Sequence, residues 1–216
     1  MTVLRTLDAV VEVIRDAHQP GRRLLVGIVG APGAGKSTIA EQLVARLAPS
    51  AALLPMDGFH LPQARLVELG RRNRMGAPDT FDVDGFLTVL AHLRRAFGNS
   101  GNRVAVPGFD REIEEPIPDA AYISPEFPTV VVEGNYLLLD SGGWERAAPL
   151  FDLTFFVDVD HDIRLERLIT RHIRFGKSPE DARAWSLGPD EANARLIQAT
   201  AARADHVIRL DDAAPR

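Results

Sequence analysis

The sequence contains no cysteine, and this absence removes two kinds of chemistry. Without thiols the chain forms no disulfide bonds and offers no thiolate ligands to a metal. It also has no apolar run of membrane-spanning length. Near the start, Asp8, Glu12 and Arg15 interrupt the apolar positions, so the pattern of a secretory signal peptide is missing. We therefore expect a cytoplasmic protein that does not bind membranes.

A surplus of positive charge is missing as well. The formal net charge is -5, so the chain has no general attraction for nucleic acids, and we expect no nucleic-acid partner. Hydrophobic residues make up 45% and charged residues 25% of the 216 residues, which is ordinary for a soluble globular protein. Because no repeat and no domain boundary is evident, we predict a single domain over residues 1–216 and leave a homodimer open.

Strand and helix patterns alternate along the chain, which is typical of a parallel sheet covered by helices. We predict an α/β three-layer sandwich, with a five-stranded, mainly parallel sheet and helices on both faces. In this prediction Thr2 caps an N-terminal amphipathic helix. Residues 103–107 are expected to form the third strand, and the proline-rich residues 112–128 a surface excursion or a hairpin.

A glycine-rich motif lies between the buried strand pattern of residues 24–29 and the helix pattern of residues 38–47. It fits the phosphate-binding P-loop, G-x-x-x-x-G-K-[ST], at every specified position. Its residues are Gly30, Ala31, Pro32, Gly33, Ala34, Gly35, Lys36 and Ser37, followed by Thr38. Glycines let backbone N–H groups approach phosphate oxygens, and the helix N-terminus adds a positive dipole end. The fold class is therefore that of P-loop NTPases, whereas a chance glycine-rich turn would not explain both flanks.

Two acids follow predicted strands, at the edge where open parallel sheets bind ligands. Asp57 comes after residues 51–56, and Glu133 ends the apolar run of residues 129–132. Together with Ser37 they make an oxygen-rich set suited to Mg²⁺. We assign Asp57 the role of base toward an acceptor hydroxyl and Glu133 the metal network, although the two acids can share both roles. The alternatives are a turn-forming Asp-Gly pair and a solvent-facing strand end.

Four arginines recur at helical spacing, which predicts one arginine-rich helix face made of Arg164, Arg167, Arg171 and Arg174. Lys36, Arg167 and Arg171 are our candidates for stabilising the charge of a transferred phosphoryl group. We predict a lid over residues 164–180 with a hinge at residues 176–179. A solvated charged face is the alternative.

Three residues are candidates for binding the acceptor. His60 lies three residues after Asp57, and Asp110 and Arg111 end the predicted third strand. A surface ion pair is the alternative for Asp110 and Arg111.

These motifs occur in a characteristic order: GAPGAGKST, MDGFHLP, GAPDTFD, PGFDR, VVVEGNYLLL and RLERLITRH. The series resembles the uridine kinase and bacterial type I pantothenate kinase branch of P-loop kinases, from residue 24 to residue 210. It looks most similar to a bacterial subgroup of uridine kinase-like or sugar-transport-associated kinases. The resemblance implies that Asp57 is the catalytic base, that Glu133 is the acid of the family's Glu-Gly pair, and that Arg167 and Arg171 are lid arginines. It aligns Asn193 loosely with an asparagine of a late helix.

The chain departs from both family patterns at the acceptor site. Phe109-Asp110-Arg111 stands where uridine kinases have a His-Ser-Arg element, and Arg174-Phe175-Gly176 replaces their Arg-Gly-Arg lid. The aromatic and histidine residues of pantothenate kinases have no match at the third strand.

We therefore predict a kinase that uses ATP and Mg²⁺ to phosphorylate a hydroxyl of a small metabolite. A nucleoside such as uridine is the first candidate acceptor, followed by pantothenate or a sugar. Two alternatives belong to other functional classes. One is a regulatory ATPase without an acceptor, and the other is a binding protein without catalysis. The absence of an Asn-Lys-x-Asp motif argues against a GTPase, and the intact set of Lys36, Ser37, Asp57 and Glu133 against a mere binder.

Overall fold

Strands and helices alternate in the structure, a computed structural model that describes residues 1–99 and 101–210. The strands are β1 (Thr2–Leu4), β2 (Leu24–Val29), β3 (Ala51–Pro55), β4 (Val104–Asp110), β5 (Glu115–Ile123), β6 (Thr129–Gly134), β7 (Leu153–Val157) and β8 (His206–Ile208). The α-helices are α1 (Leu7–Asp16), α2 (Lys36–Leu47), α3 (Gln63–Glu68), α4 (Val83–Ala96), α5 (His161–Arg174), α6 (Pro179–Leu187) and α7 (Pro189–Gln198). Short 3₁₀ turns join several of them, including Met56–Phe59 after β3.

The main sheet has the strand order β1-β8-β7-β2-β6-β3, and every neighbouring pair is parallel. Strand β2 lies inside this sheet and is buried along its whole length, as strands covered on both faces are. Leu25 and Val29 face a core that includes α4, while Val26 and Ile28 face the core under α1 and α2. The predicted sandwich with helices on both faces is confirmed.

The strand count differs from the prediction, because the described sheet has six strands and not five. Residues 2–4 pair with β8 as an edge strand, so the first helix begins later than expected. Its cap is Thr6, not Thr2, because the Thr6 hydroxyl accepts a hydrogen bond from the Ala9 backbone N–H at 3.2 Å. The apolar pattern of the first residues was therefore that of a short strand followed by a helix.

The predicted third strand also lies elsewhere. Strand β4 is outside the main sheet and pairs antiparallel with β5, so the proline-rich excursion is one arm of a hairpin. This hairpin packs closely on the Met56–Phe59 turn. A Cβ added to Gly58 would lie 2.4 Å from the Pro107 carbonyl oxygen, so only glycine permits this approach. The hairpin therefore brings residues 109–111 next to the end of β3.

The parallel register determines where the candidate site forms. Glu133 pairs with Ile28 of β2 on one side and with Pro55 of β3 on the other. Because the carboxyl ends of parallel strands meet at one edge, the P-loop, Asp57 and Glu133 all come to that edge. Across the described ranges, no helix has both the length and the apolar character needed to cross a bilayer.

Arg23 supports the start of β2 from inside the protein. Its side chain is fully buried, and its guanidinium donates to the carbonyl oxygens of Leu93 at 2.8 Å, Ser124 at 2.6 Å and Phe127 at 2.9 Å. These bonds join the β2 end of the sheet to α4 and to the segment before β6. Burial lowers the pKa of Arg23 below its ordinary value.

We predict that Arg23→Met lowers the free energy of unfolding by about 3 kcal/mol, because one buried and two partly buried carbonyls lose their donor. The matched control is Arg22→Met, whose exposed side chain pairs with Asp152 at 2.5 Å and should cost less than about 1 kcal/mol. Urea unfolding of both variants measures the difference. Equal losses in the two variants would contradict the structural role of Arg23.

Candidate active site

The P-loop connects the end of β2 to the first turn of α2. Gly33 and Gly35 adopt left-handed backbone angles, with φ of 81° and 88°. A Cβ on Gly33 would also lie 2.7 Å from the carbonyl oxygen of Arg164, so a larger residue would not fit there. These glycines let the loop turn tightly into the N-terminus of α2, where backbone N–H groups favour an anion.

Lys36 is the cation of this loop. Its side chain is buried, with 8% relative exposure of the residue, and Nζ donates to the carbonyl oxygen of Ala31 at 3.1 Å. Burial lowers the pKa of Lys36 to about 8, although the charges of Glu133 and Asp57 act in the opposite direction. The lysine is therefore a charge held inside the protein, beside two carboxylates.

Glu133 is the buried acid of the site, with 5% exposure. Burial, together with the nearby charge of Asp57, raises its pKa to about 7, while Lys36 and a hydrogen bond with the Ser37 side chain lower it. This bond joins a hydroxyl and a carboxylate oxygen at the start of α2, and both are groups that Mg²⁺ accepts as ligands.

Asp57 lies in the turn after β3 and forms an ion pair with Arg111. The distance from Arg111 Nη2 to Asp57 Oδ2 is 2.6 Å. Burial alone would raise the pKa of Asp57, but the positive charges of Arg111 and Lys36 act against it, and the pKa lies below its ordinary value. Asp57 is therefore a carboxylate surrounded by positive charge.

A cavity of about 140 Å³ joins these groups. Lys36, Ser37, Asp57 and Glu133 line its P-loop side, and Arg111 also contributes to its wall. The arrangement combines a buried cation, a hydroxyl–carboxylate pair and a second carboxylate around one space. Such a set can bind a phosphate chain and present an acid to a group next to it.

His60 forms the aromatic wall of the same cavity. Its ring lies 4.0 Å from the ring of Phe81 and 4.6 Å from that of Phe109, and Nδ1 is 2.8 Å from the carbonyl oxygen of Asp57. Burial lowers the pKa of His60, so the ring favours the neutral form. Asp110 is not among the residues that line this cavity, and its carboxylate accepts a hydrogen bond from the Glu112 N–H at 2.8 Å within the hairpin turn.

Comparison with known proteins identifies the family. The Phosphoribulokinase / Uridine kinase family matches residues 25–211. The chain belongs to this family. It is a P-loop kinase that uses ATP, as the fold and the resemblance predicted.

Three relatives show how far this kinase resembles known proteins. The uncharacterized protein YggC of Escherichia coli (strain K12) is 32% identical over 198 residues, which are 89% of this chain and 80% of YggC. The ATP-dependent kinase-like protein notR' of Aspergillus versicolor is 39% identical over 133 residues, which are 60% of this chain and 77% of the notR' chain. A crystal structure from Silicibacter sp. TM1040, provisionally named a fructose transport system kinase, is 36% identical with a TM-score of 0.86. That similarity covers 94% of this chain and 99% of the other.

The arginines of α5 do not share one environment in the kinase, as the predicted single face would require. Arg171 lines the cavity next to Asp57, whereas Arg167 is exposed beside Gly35 in a second cavity. Arg164 is buried and donates to the Pro32 carbonyl oxygen at 3.2 Å, while it also pairs with Glu191. Arg174 is exposed at the end of the helix.

Several residues on the acceptor side of the cavity were not among the predicted site residues. Asp190 binds His172 Nε2 at 2.7 Å, and Asn193 donates to the Gly76 carbonyl oxygen at 3.3 Å. The Tyr136 hydroxyl donates to the same carbonyl. The loose family alignment had pointed to Asn193, and Asp190 lies three residues before it on the same face of α7, which is the sequence signal that could have identified Asp190.

We predict that Glu133→Gln makes the free kinase more stable than the wild type at high pH but not at low pH. The pKa of Glu133 is raised in the folded state, so its stabilising contribution is present below the unfolded value of 4.5 and is lost as pH rises through about 7. At about pH 8 the variant should gain about 1–3 kcal/mol in the free energy of unfolding, and at about pH 5 much less.

Urea unfolding without nucleotide or metal measures this pH dependence. Glu68→Gln is the control, because Glu68 is 65% exposed and pairs with Arg65 in the same helix. A stability difference for Glu133→Gln that does not change with pH would contradict a raised pKa.

Proposed function

We propose that this kinase transfers the γ-phosphate of ATP to a hydroxyl group of a small metabolite, with Mg²⁺ as the metal ion. The observation that carries the proposal is one cavity lined by Lys36, Ser37, Asp57 and Glu133 at the carboxyl ends of β2, β3 and β6. Phosphoryl transfer needs three kinds of group: a cation that binds phosphate, oxygen ligands for a metal ion, and an acid that takes the proton of the acceptor. The cavity offers a lysine, a hydroxyl with a carboxylate, and a second carboxylate for these roles.

The position of the nucleotide follows from the two cavities. We place the triphosphate on the N-terminus of α2, with Lys36 at its outer end. The adenosine part then extends into the second cavity, of about 650 Å³, which Gly35, Thr38 and Arg167 line on the other side of the P-loop. In this position Arg167 is close to the phosphates.

The residues around Ser37 fit a magnesium ion. The Ser37 hydroxyl and the Glu133 carboxylate are hard oxygen donors and already lie within hydrogen-bond reach of each other. In residues 1–99 and 101–210, no group of three or more His, Asp or Glu side chains could hold a metal. Phosphate oxygens and water would therefore complete the coordination, and bound Mg²⁺ would neutralise phosphate charge.

In the reaction, the acceptor hydroxyl approaches the γ-phosphorus from the side of Asp57. Its oxygen forms the new bond to phosphorus as the bond to the leaving ADP breaks, and its proton passes to the Asp57 carboxylate. Lys36 and Arg171, which both line the cavity, stabilise the charge on the transferred group.

From the resemblance we propose a nucleoside as the first candidate acceptor, followed by pantothenate and sugars. The rings of His60, Phe81 and Phe109 on the cavity wall support an acceptor with a flat or apolar part. ADP release in the presence of a panel of nucleosides, pantothenate and sugars tests the proposal. A kinase hydrolyses ATP slowly alone and rapidly with its acceptor, whereas a regulatory ATPase would have the same rate throughout the panel.

We predict that Asp57→Asn lowers kcat about 10²–10⁴-fold and leaves ATP affinity nearly unchanged, because the amide cannot take the hydroxyl proton. Steady-state kinetics and calorimetric titration with an inert ATP analogue measure the two effects. Asp140→Asn, at an exposed ion pair with Arg203, is the control and should keep full activity. Full activity of Asp57→Asn with the true acceptor would exclude Asp57 as the base.

We also predict that Arg171→Ala lowers kcat about 10²-fold, because a donor to the transferred group is lost. Arg174→Ala, one turn further along the same helix and exposed, should have nearly wild-type kcat. If the two substitutions had equal effects, α5 would act only as a charged surface.

A further inference from the structure

Arg111 pairs with one oxygen of the carboxylate that the proposed reaction needs. It lies in the turn between β4 and β5, and its Nη2 is 2.6 Å from Asp57 Oδ2. Both residues line the same cavity, and the Arg111 side chain is 40% exposed. While this bond exists, Oδ2 cannot accept the hydrogen of an acceptor hydroxyl in the same direction.

The same hairpin turn holds a second ion pair at the cavity. Glu114 binds Arg72 at 2.5 Å, and both residues line the cavity together with Arg111. The side chains of Arg72 and Glu114 are each 41% exposed, so neither is fixed by complete burial. Gln63 Nε2 donates to the Glu114 carbonyl oxygen at 3.1 Å, which ties this turn to the start of α3.

The other basic side chains of the cavity have other partners in the proposed function. Lys36 and Arg171 face the phosphates, and His172 is held by Asp190. Arg111 and Arg72 are therefore the two guanidinium groups on the acceptor side, each paired with an acid of the chain. A guanidinium exchanges one carboxylate for another, or for a phosphate, with little change in geometry.

We propose that the acceptor carries an anionic group, a carboxylate or a phosphate, which binds Arg111 and releases Asp57 for the acceptor hydroxyl. This inference rests on the proposed function and refines its acceptor class. A neutral acceptor, including an unmodified nucleoside, leaves Arg111 on Asp57 and is a poorer substrate. Arg111 thus determines specificity through charge, and its exposed position allows the change of partner.

Matched pairs of acceptors test this inference. The pairs are glycerol with glycerate and ribose with ribose 5-phosphate, and uridine serves as the neutral nucleoside. We expect the charged member of at least one pair to have a kcat/KM about 10–100-fold higher, as one charge-assisted bond would give. The first pair reports a carboxylate and the second a phosphate, so the result identifies which anion the kinase prefers.

The variant Arg111→Ala should abolish this preference. We expect kcat/KM for the charged acceptor to fall about 10–100-fold relative to that for the neutral acceptor, mainly through KM. Arg111→Lys should restore part of the preference. Arg203→Ala, at an exposed pair with Asp140 and not among the cavity residues, is the control and should leave the ratio unchanged.

Calorimetry with an inert ATP analogue separates this inference from the kinase proposal. If no compound releases ADP, the proposed reaction fails for this panel, but tighter binding of the charged members, lost in Arg111→Ala, still supports the inference. The inference is overturned if neither anionic compound binds or reacts better than its neutral partner. It is also overturned if Arg111→Ala weakens charged and neutral acceptors equally, since Arg111 would then serve the phosphates of ATP.

Discussion

The parallel alignment of β2, β6 and β3 is the constraint on which the site depends. Register places Glu133 between Ile28 and Pro55, so the P-loop lysine, the acid of the β3 turn and the acid of β6 converge at one edge. Burying one such charge alone would be costly, but Lys36 partly compensates both acids, whereas the two acids repel each other. The opposite pKa shifts of Lys36 and Glu133 are the electrostatic result of this convergence.

The surrounding elements determine what each charge can bind. Helix α5 contributes one arginine to the cavity and uses another, Arg164, to hold the Pro32 carbonyl oxygen of the P-loop. The β4–β5 hairpin adds Arg111 and Glu114 from its turn and reaches Asp57 only because Gly58 has no side chain. The P-loop side of the cavity is therefore built by the sheet, and the Arg111 side by elements packed around it.

The sequence predicted the parts of this site that local patterns define. The P-loop depends on a strand, a glycine-rich turn and a helix that are adjacent in the chain, and Asp57 and Glu133 each end a clear strand pattern. The contacts of Arg111 and Asn193 were harder to predict from the sequence, because their partners are more than fifty residues away along the chain. Helical spacing placed four arginines together, but packing against the P-loop buries Arg164 and leaves Arg174 exposed. The sixth strand was missed because three residues paired at a sheet edge leave almost no periodic signal.

The carbonyl oxygen of Gly76 accepts hydrogen bonds from two separate parts of the fold, Tyr136 after β6 and Asn193 in α7. A rotation of that peptide would break both bonds at once, so the loop before α4 cannot move independently of either support. A displacement of α7 would therefore also move Gly76, which is part of the cavity wall. Helix α7 also carries Glu191, the partner of Arg164 at the P-loop. One helix thus contacts both the loop before α4 and the arginine that holds the P-loop.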